Sequence, residues 1–552
     1  MKSPKLPKEI APEERTPLVA WLLAVIEHQQ AIIEGQAIEI EQLKGKTERL
    51  EGELKKAKKL KGKPLLKASQ LEHPVLAKKG AGKRPGSAKR SKKLQFQMDE
   101  ERLVEPESVP LGARFNGYRE YDVQELLIKS HNIRFKLAEY VSAEGVTVVG
   151  QLPVEYEGHY GPTLKAFILY QHHQCRVPQH LIYEQLQAFD IEISTGQVNR
   201  ILMAEDSRFH DEQTAVLRAG LESAAYVHTD DTGARHQGRN GYCTVVGNAL
   251  FAYFRSSEHK SRQNYLKLLR HPFEDYVLNE YAQAYLSAHG LASRHLEKLS
   301  FSEQVICQGE SAWAAYLERL DIVTPLAVRL VTEAALLGSV ISHGVSPELI
   351  ILSDGAPQFV LFVHALCWIH MERTLRKLSG ETPAQLNEIE ALRYQLWAYY
   401  QALKFYRQDP SADDIPAFNR GFDAIFAQTF EDNAPLNAVL KQFTNHKAEL
   451  LRVLEMPALP LHTNAAESDI REMVTRRKIS GTTRHDLGRQ ARDTFVGLKK
   501  TCRKLGFSFW QYLTSRLKHD DTVPLLPDVI RQRAAQATAQ ALPAESACFV
   551  AS

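Results

Sequence analysis

The sequence has few cysteines, and those it has are scattered. Only six occur in 552 residues, and no two form a Cys-x-x-Cys pair. This spacing argues against a disulfide scaffold or a zinc ribbon and is typical of a protein from a reducing cytosol. The six are Cys175, Cys243, Cys307, Cys367, Cys502 and Cys548.

Long apolar runs and a large net charge are also missing. The longest apolar run is far shorter than the roughly 18 to 20 residues that cross a bilayer, and no signal peptide is evident, so we expect a soluble, cytoplasmic protein. The net charge is only +3, so nucleic-acid binding would have to come from local basic patches. Apolar residues are plentiful at 44%, enough for the three or four domains that the length predicts.

Residues 1–60 are predicted to hold a tail and a coiled-coil helix. Two rows of mostly apolar residues repeat every seven positions between 18 and 60. Gly35, Gly45 and Gly52 each cost about 1 kcal/mol of helix propensity, so the helix needs a partner and we expect a homo-oligomer. The alternative is an amphipathic helix packed on its own core. The rows are Ile26, Ile33, Ile40, Thr47 and Leu54, and Leu22, Gln29, Gln36, Leu43, Leu50 and Ala57.

Residues 61–95 are predicted to be a disordered basic linker. Across 55–93, fifteen Lys or Arg residues stand against the single acid Glu72, and glycines and a proline prevent compact structure. A charge run is usually only solvated, but a flexible polycation can also bind DNA by releasing counterions from phosphates. The DNA-binding candidates in the linker are Lys83, Arg84, Lys89 and Arg90.

Two small regions follow the linker. Residues 96–155, punctuated by proline and glycine, are predicted to form a strand-rich unit. Residues 156–222 contain two predicted helices and a third that opens on a Ser-x-x-Gln capping box at Ser194, the pattern of a helix-turn-helix. A plain helical hairpin used for packing is the alternative. If the third helix faces DNA, the contacting residues are Thr195, Gln197, Asn199 and Arg200.

Residues 223–372 are predicted to start an α/β core. A strand ends near Asp230, Asn240-Gly241 marks a hairpin turn, a third strand covers 249–254, and a helix near 260–269 precedes a buried strand at 349–352. This order is the ribonuclease H-like arrangement, in which the first and fourth strands are neighbours. Helical insertions are expected at about 271–345 and at 373–456. Residues 457–515 complete the core, and 516–552 are expected to be a loose tail.

Three acidic residues are the candidate catalytic and metal-binding groups. Asp230 and Asp354 each end a predicted strand, and Glu467 lies in the first turn of a predicted helix. Three carboxylates can hold two magnesium ions, or manganese, against a phosphodiester. Asn464 and Arg471 share the face of Glu467 at i−3 and i+4. Such a polar stripe alone is usually only a solvated face.

Basic residues after Glu467 suggest a surface for the phosphate backbone. They are Arg477, Lys478 and Arg484.

Taken together, several motifs resemble the IS66 family of bacterial insertion-sequence transposases over about residues 18 to 515. They are His228-Thr229-Asp230-Asp231-Thr232, Ser353-Asp354-Gly355, Cys367-Trp368-Ile369-His370, Asn464-Ala465-Ala466-Glu467 with Arg471, and the stretch 478–513.

The resemblance implies a DDE-type enzyme with Asp230, Asp354 and Glu467 as its metal-binding triad. Asp231 is the fallback for the first aspartate, and His370 is either a supporting catalytic residue or a packing one. The family commonly has a cysteine-based zinc module where this chain has residues 96–155. No cysteine occurs there, so no zinc is expected and that unit would need an apolar core of its own.

The resemblance also implies the partners: transposon ends, target DNA and small accessory transposition proteins, in a bacterial, nucleoid-associated setting. Two rival functions remain at this stage. One is a catalytically inactive DNA-binding regulator, and the other is a hydrolytic nuclease of the same fold.

Overall fold

A computed structural model describes residues 29, 98–203, 207–301 and 304–541. Residues 98–128 belong to one compact unit and residues 129–541 to another. Apart from Gln29, which is helical and exposed, the predicted coiled coil and basic linker lie outside the described residues.

The stretch after the linker contains much less structure than the sequence suggested. Residues 98–128 form no helix or strand, and the following residues form one hairpin of β1 (Glu139–Val141) and β2 (Thr147–Val149). Large apolar side chains such as Leu111 and Tyr121 are exposed. The expected apolar core of 96–155 is therefore wrong for the described residues, because a hairpin of three residue pairs has no second layer to pack against.

Among the described residues of 156–223, four helices precede the core, in agreement with the helical pattern. They are α1 (Pro162–His173), α2 (Gln179–Ala188), α3 (Thr195–Met203) and α4 (Arg208–Ser223). The Ser194 hydroxyl accepts a hydrogen bond from the Gln197 amide at 3.1 Å, so the predicted N-terminal cap of α3 is confirmed. Val198 and Leu202 bury the inner face of α3, whereas Thr195 and Arg200 are exposed.

The central sheet has six strands and mixes parallel and antiparallel pairs. The strands are β3 (Tyr226–His236), β4 (Arg239–Gly247), β5 (Ala252–Ser257), β8 (Ile350–Ser353), β9 (Val363–Leu366) and β10 (Thr482–Thr483). Along the sheet the order is β5-β4-β3-β8-β9: β3 is antiparallel to β4 and parallel to β8, and the short β10 runs parallel to the far end of β3. The predicted pairing of the first and fourth core strands is confirmed.

Two details of the first hairpin differ from expectation. β3 does not end near Asp230 but continues to His236, and the turn lies at Gln237-Gly238, with φ of 48° and 75°. Asn240-Gly241 is inside β4. A Cβ at Gly241 would lie 2.9 Å from the Ser257 carbonyl oxygen, so this glycine serves close strand contact rather than the turn.

Helices cover both faces of the sheet. On one face, α15 (Asn464–Ser480) and α16 (Asp486–Lys504) bury Ile470, Met473 and Val496 against side chains of β3, β4 and β5. On the other face, α4 and α5 (Arg262–Arg270) pack against Val227, Val246 and Tyr253. Alternate residues of β3 therefore face opposite helical layers.

The insertion at 271–345 is helical but also holds two strands. The antiparallel β6 (Asp275–Leu278) and β7 (Val305–Gln308) pack with α6 (Glu280–Ala288), α7 (Ser293–Leu296), α8 (Gly309–Arg319) and α9 (Pro325–Ser342). Helix α9 is long and apolar enough to cross a membrane, but 67% of it is buried inside the protein. A helix at the core of a soluble protein has the same properties.

The second insertion is helical, as predicted, and has its own core. After α10 (Trp368–Arg376) come α11 (Pro383–Tyr406), α12 (Ile415–Phe426), α13 (Ala434–Asn445) and α14 (Lys447–Leu450). Its centre is Trp368, which packs against Tyr399, Phe422 and Phe443 and donates its indole N–H to the Leu450 carbonyl at 2.9 Å.

The C-terminal residues are more ordered than expected. Helix α17 (Phe509–Lys518) is followed by α18 (Leu526–Ala541), which packs on α4 and buries Leu526, Val529 and Ile530. The prediction of a loose tail from 516 is therefore wrong as far as 541. The Ala-Gln repeats at the end of this helix suggested a loose tail. Its first turns, however, carry an apolar i, i+3, i+4 stripe of Leu526, Val529 and Ile530.

Candidate active site

The two candidate aspartates lie at the same level of two adjacent parallel strands. The pairing of β3 with β8 ends at His228 opposite Leu352. Asp230 follows two residues after His228, and Asp354 follows two residues after Leu352. The parallel register therefore brings the two carboxylate-bearing positions together, although 124 positions of sequence separate them.

The turn that carries Asp354 is held by short-range hydrogen bonds. The Asp354 carboxylate accepts from the Ala356 amide at 3.0 Å, and the Ser353 hydroxyl accepts from the Gly355 amide at 3.0 Å. Gly355 has a φ of 90°, a conformation that favours glycine. The chain leaves β8 sharply as a result, and Asp354 is left exposed at the end of the strand.

The third acid reaches the site from helix α15. Glu467 lies in the first turn of that helix, which packs on the face of β3 that carries His228 and Asp230. The Glu467 carboxylate is 3.1 Å from an Arg373 guanidinium nitrogen and 3.7 Å from His370 Nε2. Helix α10, which carries both of these residues, therefore meets the first turn of α15, and His370 is close enough to the strand end for its charge to lower the pKa of Asp230.

A buried ion cluster fixes α15 on the sheet next to these acids. Asp469, two residues after Glu467, lies 3.4 Å from His228 Nε2 and 2.7 Å from Lys504 Nζ. His228 itself is two residues before Asp230 and on the same face of β3. The buried contact thus joins the helix that carries Glu467 to the strand that carries Asp230.

The electrostatic environment indicates that these groups influence one another. Burial raises the pKa of Asp230 to about 6, and the charges of Asp354 and Asp231 also raise it, whereas a hydrogen bond from the Asp231 amide lowers it. A hydrogen bond with Cys367 raises the pKa of His370, and Asp354 contributes to that rise. Negative charge is therefore concentrated at the strand ends, which a cation would relieve.

Asp231 occupies the opposite face of β3 and is already engaged. One carboxylate oxygen pairs with the Lys260 ammonium, and the other accepts from the Gln358 side-chain amide at 2.8 Å. Gln358 belongs to the segment that follows Asp354. Asp231 therefore ties that segment to β3, and its contacts are those of a structural residue.

The other predicted site residues on α15 and just after it are exposed. Asn464 and Arg471 are on the exposed side of α15. The described basic candidates Arg477, Lys478 and Arg484 are exposed at the end of α15 and after it, near β10. Lys83, Arg84, Lys89 and Arg90 lie outside the described residues.

The acids offer the right donor atoms for magnesium, but they are not drawn together as ligands. Carboxylate oxygens are the donors that Mg²⁺ prefers. Among the described residues, however, no three His, Cys, Asp or Glu side chains are grouped as they would be around one metal ion. Glu467 is instead turned toward Arg373, which neutralises its charge.

The sequence did not predict a role in the site for Arg373, Lys260 or Gln358. Arg373 lies three residues after His370, so a helical wheel through the Cys367-Trp368-Ile369-His370 motif would have placed both on one face. Lys260 and Gln358 carried no comparable signal, because their shared contact with Asp231 depends on tertiary packing.

Comparison with known proteins defines the class. A family model described as "Transposase IS66 family" matches residues 358–491, a range that contains Gln358, His370, Arg373 and Glu467. A protein of Sinorhizobium fredii (strain NBRC 101917 / NGR234), described as "Uncharacterized protein y4jO", is 43% identical over 309 residues. That alignment covers 55% of this chain and 95% of the relative.

The protein is thus a transposase, and transposases in general are enzymes that cleave DNA. More particularly, the chain belongs to the IS66 family, and the resemblance seen in the sequence is confirmed.

Proposed function

We propose that this protein is a DDE transposase that binds the ends of an insertion sequence and catalyses metal-dependent strand cleavage and strand transfer. The observation that supports the proposal is the parallel β3–β8 register, which puts Asp230 and Asp354 at equivalent positions after the last pair, together with His370, whose charge lowers the pKa of Asp230 and whose Nε2 lies 3.7 Å from the Glu467 carboxylate on the first turn of α15. The three acids thus come from β3, the turn after β8 and α15. The strand order is β5-β4-β3-β8-β9, and β4 runs in the opposite direction to the other four strands. This arrangement supports a ribonuclease H-like core.

Two Mg²⁺ ions, or Mn²⁺, are the cofactors that this donor set fits, and no zinc is proposed. Asp230, Asp354 and Glu467 would hold them, and the ions would activate the attacking oxygen and stabilise the leaving one. Metal binding by Glu467 requires its carboxylate to separate from Arg373. The guanidinium of Arg373 and the imidazole of His370 are then free to contact a DNA phosphate at the same site.

The remaining residues have supporting roles in this proposal. Asp231 fixes the Asp354 segment through Gln358, while Asn464 and Arg471 orient Glu467 and phosphate. Helix α3 supplies DNA contacts through Thr195, Gln197, Asn199 and Arg200, and further contacts come from Arg477, Lys478, Arg484 and the basic linker.

The proposal extends to partners and location. The protein would act as a homo-oligomer joined through the N-terminal coiled coil, together with accessory transposition proteins, on DNA in the bacterial cytoplasm. Pairing of two DNA ends explains why a DNA-cleaving enzyme would need an oligomerising helix.

Substitution of the second and third acids tests the proposal. We expect Asp354→Asn and Glu467→Gln to abolish Mg²⁺-dependent cleavage of duplexes that carry the terminal repeats flanking the gene. End binding should persist, because affinity rests mainly on phosphate contacts elsewhere. Cleavage is measured on labelled duplexes and binding by gel shift, with Glu390→Gln on the surface of the helical insertion as the matched control.

Undiminished cleavage in either variant would refute the assignment. A second assay separates transposase from nuclease: pre-cleaved ends are mixed with a target plasmid and joined products are sought. Joined products support strand transfer, whereas hydrolysis alone identifies a nuclease.

A further inference from the structure

The β3–β4 hairpin projects well past Asp230 and past the end of the pairing with β8, and it carries its own positive charge. From Asp230 the strand runs six residues further, to His236, before the turn at Gln237-Gly238. Arg235 and Arg239 flank this turn, and both are exposed. Neither residue belongs to the proposed catalytic or DNA-binding set.

The connection between α15 and α16, which carries Arg484, lies against the same hairpin. Thr482 and Thr483 of β10 pair with Arg235 and His236. The Gln237 amide donates to the Thr483 carbonyl at 2.8 Å, so the hairpin tip and the connection form one surface.

Further contacts fix the end of α15 to the same strand. The Arg477 guanidinium donates to the Gly233 carbonyl, and a Cβ at Gly233 would lie only 3.1 Å from that guanidinium. The absence of a side chain at 233 therefore leaves room for Arg477 to lie across β3. We call Arg235, Arg239, Arg477, Lys478 and Arg484 the hairpin surface.

The charge of the hairpin surface is not neutralised from within the protein. Across 98–203, 207–301 and 304–541, none of its five cations forms an ion pair with a carboxylate. The nearby Asp486 pairs instead with His236 at 3.2 Å and Arg489 at 2.8 Å, and the exposed Glu258 lies beside Gly241. Five unpaired cations against these two acids favour an anionic partner.

We propose that the hairpin surface binds the phosphate backbone of the duplex beside the cleavage point, with Arg235 and Arg239 as its added contacts. Arg239 pairs with His236, which is on the same face of β3 as Asp230, whereas Arg235 is on the opposite face. A strand rises about 3.3 Å per residue, so Arg239 is about 20 Å from Asp230 along the hairpin. The same length of B-DNA is about six base pairs, at about 3.4 Å per pair. This inference rests on the proposed function, because it takes Asp230 to mark the cleavage point.

The salt dependence of DNA binding tests the inference. Full-length wild type and Arg235→Gln/Arg239→Gln are titrated with a terminal-repeat duplex, without Mg²⁺, from about 50 to about 200 mM salt. Each lost phosphate contact should reduce the slope of log K against log salt by about 0.9, so the double variant should lose about 1.8. Its hydroxyl-radical footprint should also lose protection about six base pairs from the cleavage point.

Two further variants guard against misfolding and nonspecific charge effects. Arg235 also donates to the Gly238 carbonyl at 2.7 Å, so Arg239→Gln alone, expected to lose about 0.9 of slope, avoids altering the turn. Arg420→Gln/Lys441→Gln removes two exposed charges from the helical insertion and should leave the slope unchanged.

A wild-type slope in both hairpin variants would overturn the inference, and so would an equal loss in the insertion control. These results are separable from failure of the proposed function. If wild type fails to cleave DNA but the hairpin variants lose slope, the DNA-binding surface stands and the catalytic proposal falls. If wild type cleaves and the slopes are equal, only the hairpin surface is wrong.

Discussion

At the scale of single residues, neighbouring aspartates have different environments because they are on opposite faces of one strand. Asp230 is on the face of β3 that His228 presents to α15, and the charge of Asp354 helps to raise its pKa. Asp231 faces Lys260 and Gln358, which occupy both of its oxygens. The sequence could not separate them, since either could be the first acid until the face of β3 covered by α15 was known.

Substitution of each aspartate should reflect this difference. Asp230→Asn removes a proposed metal ligand and should abolish cleavage. Asp231→Asn keeps one acceptor for Gln358 but loses the charge facing Lys260, so it should weaken cleavage by about ten- to a hundredfold, as changes to groups that orient ligands do. Initial rates of end cleavage, with both proteins checked for folding by circular dichroism, measure the effect. Abolished cleavage in Asp231→Asn with normal cleavage in Asp230→Asn would reverse the assignment.

At the scale of elements, the helical region before the core is firmly attached to the helix that carries Glu467. The Glu472 carboxylate on α15 accepts from Arg176, in the turn between α1 and α2, at 2.8 and 3.0 Å, and from Lys499 on α16 at 2.6 Å. Arg476 and Lys499 also donate to the His173 carbonyl at the end of α1. The predicted helix-turn-helix region is thus docked on α15 and α16.

The pH dependence of stability tests this joint. Burial alone would raise the pKa of Glu472, but Arg176 and Lys499 hold it at about 2, below its usual 4.5. The ionised form is therefore stabilised in the folded state by about 3 kcal/mol. That contribution is present above pH 4.5 and is lost as the pH falls from 4.5 through 2.

We therefore expect Glu472→Gln to lower the melting temperature strongly at pH 7 and by less near pH 3. Thermal melts at both pH values measure this, with the exposed Glu390→Gln as the matched control. An equal deficit at both pH values would contradict the role assigned to Glu472.

Elements with a strong local pattern could be predicted from the sequence, and elements that depend on long-range packing could not. The capping box at Ser194 and the apolar run before Asp354 gave correct elements. Asn240-Gly241 suggested a turn, but the turn is at Gln237-Gly238. Gly241 lies three residues later, inside β4, where β5 approaches too closely to leave room for a side chain. Helix α18 was missed because its apolar stripe is short and its partner, α4, lies about 300 residues earlier.

At the scale of the whole molecule, long insertions are compatible with one catalytic site because they leave and rejoin the core at strand and helix ends. The first separates α5 from β8 and the second separates α10 from α15. The second insertion buries its apolar residues in a cluster of its own, whereas those of the first join the main core with α4 and α5. Neither insertion interrupts the β3–β8 register, which is why a few short motifs could predict it. The meeting of Glu467 with Arg373 could not be predicted, since it depends on how α10 and α15 cross.

Oligomerisation is the prediction that belongs to the whole molecule. Ile33→Asp/Ile40→Asp places two charges in one heptad row and should dissociate a coiled coil. The full-length variant should behave as a monomer of about 62 kDa in light scattering and should lose paired-end products while keeping single-end binding. Glu34→Gln/Glu41→Gln, outside both rows, is the matched control. An unchanged mass in the row variant would contradict the coiled coil.

Whether Asp230, Asp354 and Glu467 hold the catalytic metal ions is best tested by anomalous diffraction from Mn²⁺ in crystals of the full-length protein with end DNA. We predict anomalous peaks between the three carboxylates at the scissile phosphate, with Glu467 separated from Arg373. Peaks bound by other residues, with Glu467 still paired to Arg373 on a correctly positioned DNA end, would contradict it.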